Sequence, residues 1–153
     1  MAQLQSPAKQ QDVTVVDGMF GLVDTVCEGG GMPGRMPGSG WVSASQGSVF
    51  LETAESTVIH ARLRVEVWDG RAEIDDEYWR DQACVSLNLP SGRFIIDESD
   101  AGWEKGPQLP APGRWELRIG RREIPDELPW GATRSDLVEA CFLLQFWPGD
   151  GED

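Results

Sequence analysis

Between Thr57 and Trp68 the odd positions Ile59, Ala61, Leu63, Val65 and Val67 are apolar, while the even positions include His60, Arg62, Arg64 and Glu66. A period of two sends successive side chains to opposite faces, so this stretch predicts a strand with one face in a core and one in water. The same alternation recurs in Gln82–Leu89, where Ala83, Val85, Leu87 and Leu89 point inward, and in Arg114–Ile119, where Trp115, Leu117 and Ile119 do. Gly47–Thr53 is expected to bury Val49 and Leu51, and Arg93–Asp97 to bury Phe94 and Ile96. Val13–Val16 and Cys141–Trp147 are apolar on both faces. A continuous run as long as the second suits a central strand covered on both sides. With almost no helical periodicity, about seven to eight such strands predict an all-β fold, an antiparallel β-sandwich. Helix is expected only as short pieces within Ile74–Asp81 and Ser135–Ala140.

Turn chemistry punctuates these runs. Leu89-Pro90-Ser91-Gly92-Arg93 reads as a hairpin-like turn and Ala111-Pro112-Gly113 as another. The Gly- and Pro-rich stretch 28–40 fits neither helix nor ordinary strand and is expected to be a long flexible loop. Neither side of it has enough chain for a separate core, so residues 12–148 are expected to form a single domain. Residues 1–11 read as a disordered polar tail and 149–153 as an acidic one.

The 153 residues include 26 Asp and Glu against 13 Lys and Arg, a net charge of −13. Such a surface repels phosphates and anionic membranes, which argues against direct nucleic-acid or membrane partners; it favours a basic protein or simply maintains solubility. Cys27, Cys84 and Cys141 are widely separated and form no CxxC pair. This, with the absence of a signal-like apolar stretch at the N-terminus, leads to the expectation of a cytoplasmic protein.

Sites for chemistry are sparse. His60 is the single histidine and has no nucleophile pattern around it, and one His with three scattered Cys offers no zinc spacing. Asp69–Asp81 is rich in carboxylates, but its only Gly is second and its twelfth residue is Arg80, so it fails the EF-hand pattern. Asp75 and Glu77 could be imagined as a glycosidase pair, although adjacent acids on a polar loop are more often a solvated turn. Stretch 28–40 lacks the Lys of a phosphate-cradling loop. These readings predict a protein that is not an enzyme and uses no cofactor or metal.

What remains is a charge pattern. Acids concentrate in Asp69–Asp81, Asp97–Glu104 and Glu123–Glu127, whereas Arg62, Arg64, Arg114 and Arg118 lie on predicted strands. Trp79 and Trp103 sit inside the first two acidic segments, either as plugs for the end of the sandwich or as aromatic anchors ringed by carboxylates. The candidate partner-binding set is therefore Asp75, Asp76, Glu77 and Trp79, with Asp97, Glu98, Asp100 and Trp103. Two other readings stay open. One is a module whose Arg face takes an anionic small molecule or an acidic protein; the other is an assembly subunit whose sheet edges pair with neighbours.

The run WVSASQGSVFLETAESTVIHARLRVEV, the later LPAPGRWELRI and the final CFLLQFWP resemble the competence protein J family. The pieces VEVWDG, LPSGRF, PGRWELR and LLQFWP also resemble a group of uncharacterised bacterial proteins. The similarity spans roughly Val13 to Pro148 and rests on strand and turn residues. It implies an inhibitor or immunity role toward a nuclease or other toxin, with the acidic surface meeting a basic cleft. It carries no binding motif from the family onto particular residues of this chain.

Overall fold

The computed structural model describes residues 2–27, 40–45, 47–53, 60–98, 102–123 and 140–149. Among them the strands are β1 (Lys9–Thr14), β2 (Met19–Asp24), β3 (Val42–Ala44), β4 (Ser48–Glu52), β5 (His60–Val67), β6 (Asp81–Leu89), β7 (Arg93–Asp97), β8 (Trp103–Gln108), β9 (Gly113–Glu123) and β10 (Ala140–Pro148). They form two five-stranded sheets, β1-β5-β10-β9-β6 and β3-β4-β2-β7-β8. Pairing is antiparallel throughout except that β10 runs parallel to β5. The fold is an all-β sandwich, as the patterning predicts.

The alternation places the core. Ala61, Leu63, Val65 and Val67 of β5, Val85, Leu87 and Leu89 of β6, and Trp115, Leu117 and Ile119 of β9 all enter the space between the sheets. They meet Phe20, Leu22, Val49, Leu51, Phe94 and Ile96 from the facing sheet. Central β10 contributes Phe142, Leu144 and Phe146; Phe142 packs edge-on against Phe20 at 5.2 Å, and Phe146 lies 5.7 Å from Phe94.

Three strands lie outside the alternating runs. β2 reads MFGLVD and is buried on both faces, β3 has three residues, and β8 carries Gly106 and Pro107. The expected hairpins are instead crossings between sheets. The Pro90–Gly92 turn leads from β6 in one sheet to β7 in the other, and residues 109–112 lead from β8 back to β9. These crossings pack together. Gly92 has φ +73°, and a Cβ there would come within 2.7 Å of Ala111 O. Buried Asp24 holds the first crossing by accepting from Ser91 N, Gly92 N and Ser91 Oγ at 2.9–3.1 Å.

The expected tail over residues 1–11 is not free of the fold. Lys9–Gln11 open β1 against β5, Leu4 bridges Trp68, and Gln5 N donates to Val67 O at 2.7 Å. The cause is main-chain pairing: the edge of β5 needs partners for its N–H and C=O groups whatever the side chains of the pairing segment. The short helix expected within Ile74–Asp81 is a single turn at residues 76–78, closed by Trp79 N to Asp75 O at 2.9 Å. The stretches 28–39, 135–139 and 150–153, on which the loop, second helix and acidic-tail expectations fall, lie outside the described residues, as do Thr57–Ile59.

Candidate functional site

Residues 69–80 cross the outer face of the β1-β5-β10-β9-β6 sheet and cover the half of β10 that faces away from the core. Trp79 is only 4% exposed and clusters with Cys141 and Leu143, flanked by Ile74 and Tyr78. Gly120 on β9 permits this approach, since a Cβ there would sit 3.0 Å from Trp79 ring and Cβ atoms. Polar groups fasten the rest of the segment. Buried Arg118 donates to Ala72 O at 2.9 Å and stacks over Trp147, Gln145 Nε2 donates to Glu73 O at 3.0 Å, and Arg122 lies over the Tyr78 ring at 4.1 Å. Trp79 is thus a plug, on the sheet face rather than at the end of the sandwich.

The plug presents acids to solvent. Asp75, Asp76 and Glu77 are all exposed. Asp75 Oδ1 accepts from Glu77 N and Tyr78 N at 3.1 and 3.2 Å, so its carboxylate shapes the turn. Asp76 Oδ1 accepts from Gln82 Nε2 at 2.8 Å. Held by a buried Trp, the three carboxylates sit on a preorganised surface turn rather than a loose loop.

The second acidic group is differently disposed. Trp103 is 65% exposed at the start of β8, whereas Glu98 is 7% exposed and accepts from Thr14 N at 2.6 Å. Burial raises the Glu98 carboxyl above its ordinary value; the Thr14 hydrogen bond opposes that shift and the charge of Glu104 adds to it. Asp97 is half-buried, and Asp100 lies outside the described residues. The register puts Thr14, His60, Ala140 and Asp81 at the same end of their sheet. However, Asp76 is anchored to β6 and Glu98 to β1, opposite edges four strand spacings apart, or about 19 Å. The two acidic groups share an end of the sandwich but do not form one patch.

The arginines expected to form a free face are largely engaged. Arg62 pairs with Asp12 at 2.8 Å, a hydrogen bond that raises the guanidinium above its ordinary value, and Arg64 pairs with Glu66 at 2.9 Å. Arg118 is buried beneath residues 69–80, and only Arg114 of the four is exposed. Sequence reasoning missed the linkage among Glu66, Trp68 and Gln145, in which Glu66 Oε1 accepts from both neighbours at 3.0 and 3.1 Å. Its one local signal was Gln145, a polar residue inside an otherwise apolar run. Among the described residues no group of three or more His, Cys, Asp or Glu side chains could hold a metal ion. No helix among them is long and apolar enough to cross a membrane.

Fold and surface together define a two-sheet β-sandwich with a plugged outer face and acidic turns. Two solved structures share the overall fold. One is ComJ from Bacillus subtilis, described as an inhibitor of the DNA-degrading activity of NucA; it matches with a TM-score of 0.62 at 12% identity, covering 97% of this chain and 99% of that one. The other is the crocagin biosynthetic gene J protein, with a TM-score of 0.55 at 12% identity, covering 94% of this chain and 99% of that one. The resemblance to competence protein J read from the strand and turn residues therefore holds at the level of the fold. No protein-family model and no curated protein matches the sequence.

Proposed function

We propose that this chain is a non-catalytic, acidic inhibitor or immunity-like protein that binds a basic nuclease or other toxin. The observation that carries the reading is the shared fold with ComJ over nearly the whole of both chains. Composition supports it, since a net charge of −13 gives long-range attraction toward the basic clefts of DNA-cutting enzymes. The contact centres on the exposed turn, with Asp76 and Glu77 as contact groups and Asp75 holding the turn. Trp103, with Asp97 and Asp100 nearby in sequence, offers a second contact. Trp79 and Glu98 belong to the supporting structure, because both are buried.

The test begins with capture of partners from the native host's lysate at low and high salt. Captured nucleases are then assayed for DNA degradation with the protein titrated in. We expect stoichiometric inhibition that weakens about tenfold or more in the Asp76→Lys/Glu77→Lys double variant, the loss of two partner-facing carboxylates. Full inhibition by that variant would remove the turn from the contact; no inhibition of any captured nuclease by the parent chain would remove the inhibitor reading.

A further inference from the structure

The two sheets leave an open side where edge strand β1 of one faces edge strand β8 of the other. A groove runs there as two adjoining depressions of about 440 and 390 Å³, with Lys9, Val65, Pro107 and Gln108 lining both. Its floor is apolar, formed by Val65, Val67 and Leu109.

Its charge runs against that of the molecule. The chain has only two lysines, Lys9 and Lys105, and both line the smaller depression. Among the described residues no Asp or Glu lines either depression, in a chain with twice as many acids as bases. Among the described residues neither lysine forms an ion pair. Beside the groove, Glu104 accepts from Gln11 Nε2 at 3.3 Å while the same amide donates to Lys105 O at 2.7 Å, tying β1 to β8.

The backbone adds a second kind of complementarity. Thr14 N donates to Glu98 and so points away from β5. The two-residue alternation of an antiparallel ladder turns the N–H and C=O groups of Gln10 and Asp12 the same way, toward the open edge. An extended chain laid along β1 would meet these groups, and its alternate side chains would reach the lysines. We propose that the groove between β1 and β8 binds an extended, carboxylate-bearing peptide segment of a partner protein, added as a strand to the β1 edge. This does not rest on the inhibitor reading, whose contact centres on the acidic turn of the opposite flank.

The probe is a fluorescent peptide of about eight residues alternating valine and glutamate, long enough to match a typical strand. It is titrated into the full chain while backbone amide resonances are followed. Binding should shift amides in Lys9–Thr14 and Lys105–Gln108. Affinity should fall roughly tenfold in Lys9→Glu/Lys105→Glu, since two exposed attractions become repulsions. N-methylation of alternate peptide amides should abolish binding. Lys9→Gln/Lys105→Gln, which removes charge without reversing it, should give an intermediate loss. The proposal is overturned if the peptide does not bind, or if its lysine-substituted or N-methylated forms bind as well. It is equally overturned if glutarate alone reproduces the shifts, because that would make the groove a small-anion site.

Discussion

Glu98 accepts the Thr14 amide while almost fully covered, and burial, the leading cause, raises its carboxyl above the ordinary 4.5. The folded chain therefore holds the Glu98 proton more tightly than the unfolded chain does. Its contribution to stability is fully present below the unfolded value and is lost as pH rises through the raised folded value. Glu98→Gln removes that titration. We expect the Tm of the variant, measured relative to the parent by thermal scans between about pH 4 and pH 7, to rise with pH across that window. A difference that stays flat with pH would mean that the carboxyl is not perturbed by its burial.

At the scale of elements, the segment covering the outer face depends on one ring and one glycine. Removing a buried Trp side chain forfeits its burial and leaves a cavity, so Trp79→Ala should destabilise the chain by about 3 kcal/mol in denaturant unfolding. The same variant should release residues 69–80 locally and speed tryptic cleavage after the exposed Arg71 and Arg80. Gly120→Val should reproduce the cleavage, because the added side chain occupies the space of the Trp79 ring. Cleavage no faster than in the parent would mean that Arg118, Gln145 and Arg122 hold the segment without the ring. How much of this was legible follows from how local each signal is. The run CFLLQFW announces a strand covered on both faces, because Cys141 and Leu143 are as apolar as Phe142 and Leu144. It does not say what covers the second face; that requires Trp79, Gly120 and Cys141 to meet from three distant parts of the chain. The Pro90–Gly92 turn likewise announces a reversal, but whether a reversal stays in its sheet or crosses to the other is decided by the strands it joins. The parallel pairing of β5 with β10 is also non-local, and β2, β3 and β8 have no clean alternation because they are doubly buried, short, or broken by Gly106 and Pro107.

For the whole molecule, the question is how a net charge of −13 acts when the two candidate acidic groups sit on opposite flanks of one end. Single surface charges interact weakly across water, and beyond a Debye length of about 8 Å at physiological salt they are largely screened. Their sum at low salt acts before contact, as a field that guides a basic partner toward the sandwich and sets the association rate more than the lifetime of the complex. If the proposed nuclease contact is right, the rate constant kon measured by stopped flow should fall roughly tenfold or more between about 10 and 150 mM salt, with koff changing far less. Asp76→Lys/Glu77→Lys should lower kon, because it takes charge from the turn and from the net field together. It should also raise koff, because it removes contacts. Reversing Glu116, a half-buried acid on β9 that accepts from Ser86 Oγ, should alter kon in the same direction and leave koff alone if β9 lies outside the contact. A kon indifferent to salt would separate the acidity of the chain from recognition and leave it serving solubility alone. A koff that responds to Glu116 as strongly as to Glu77 would move the contact from the turn onto the sheet face.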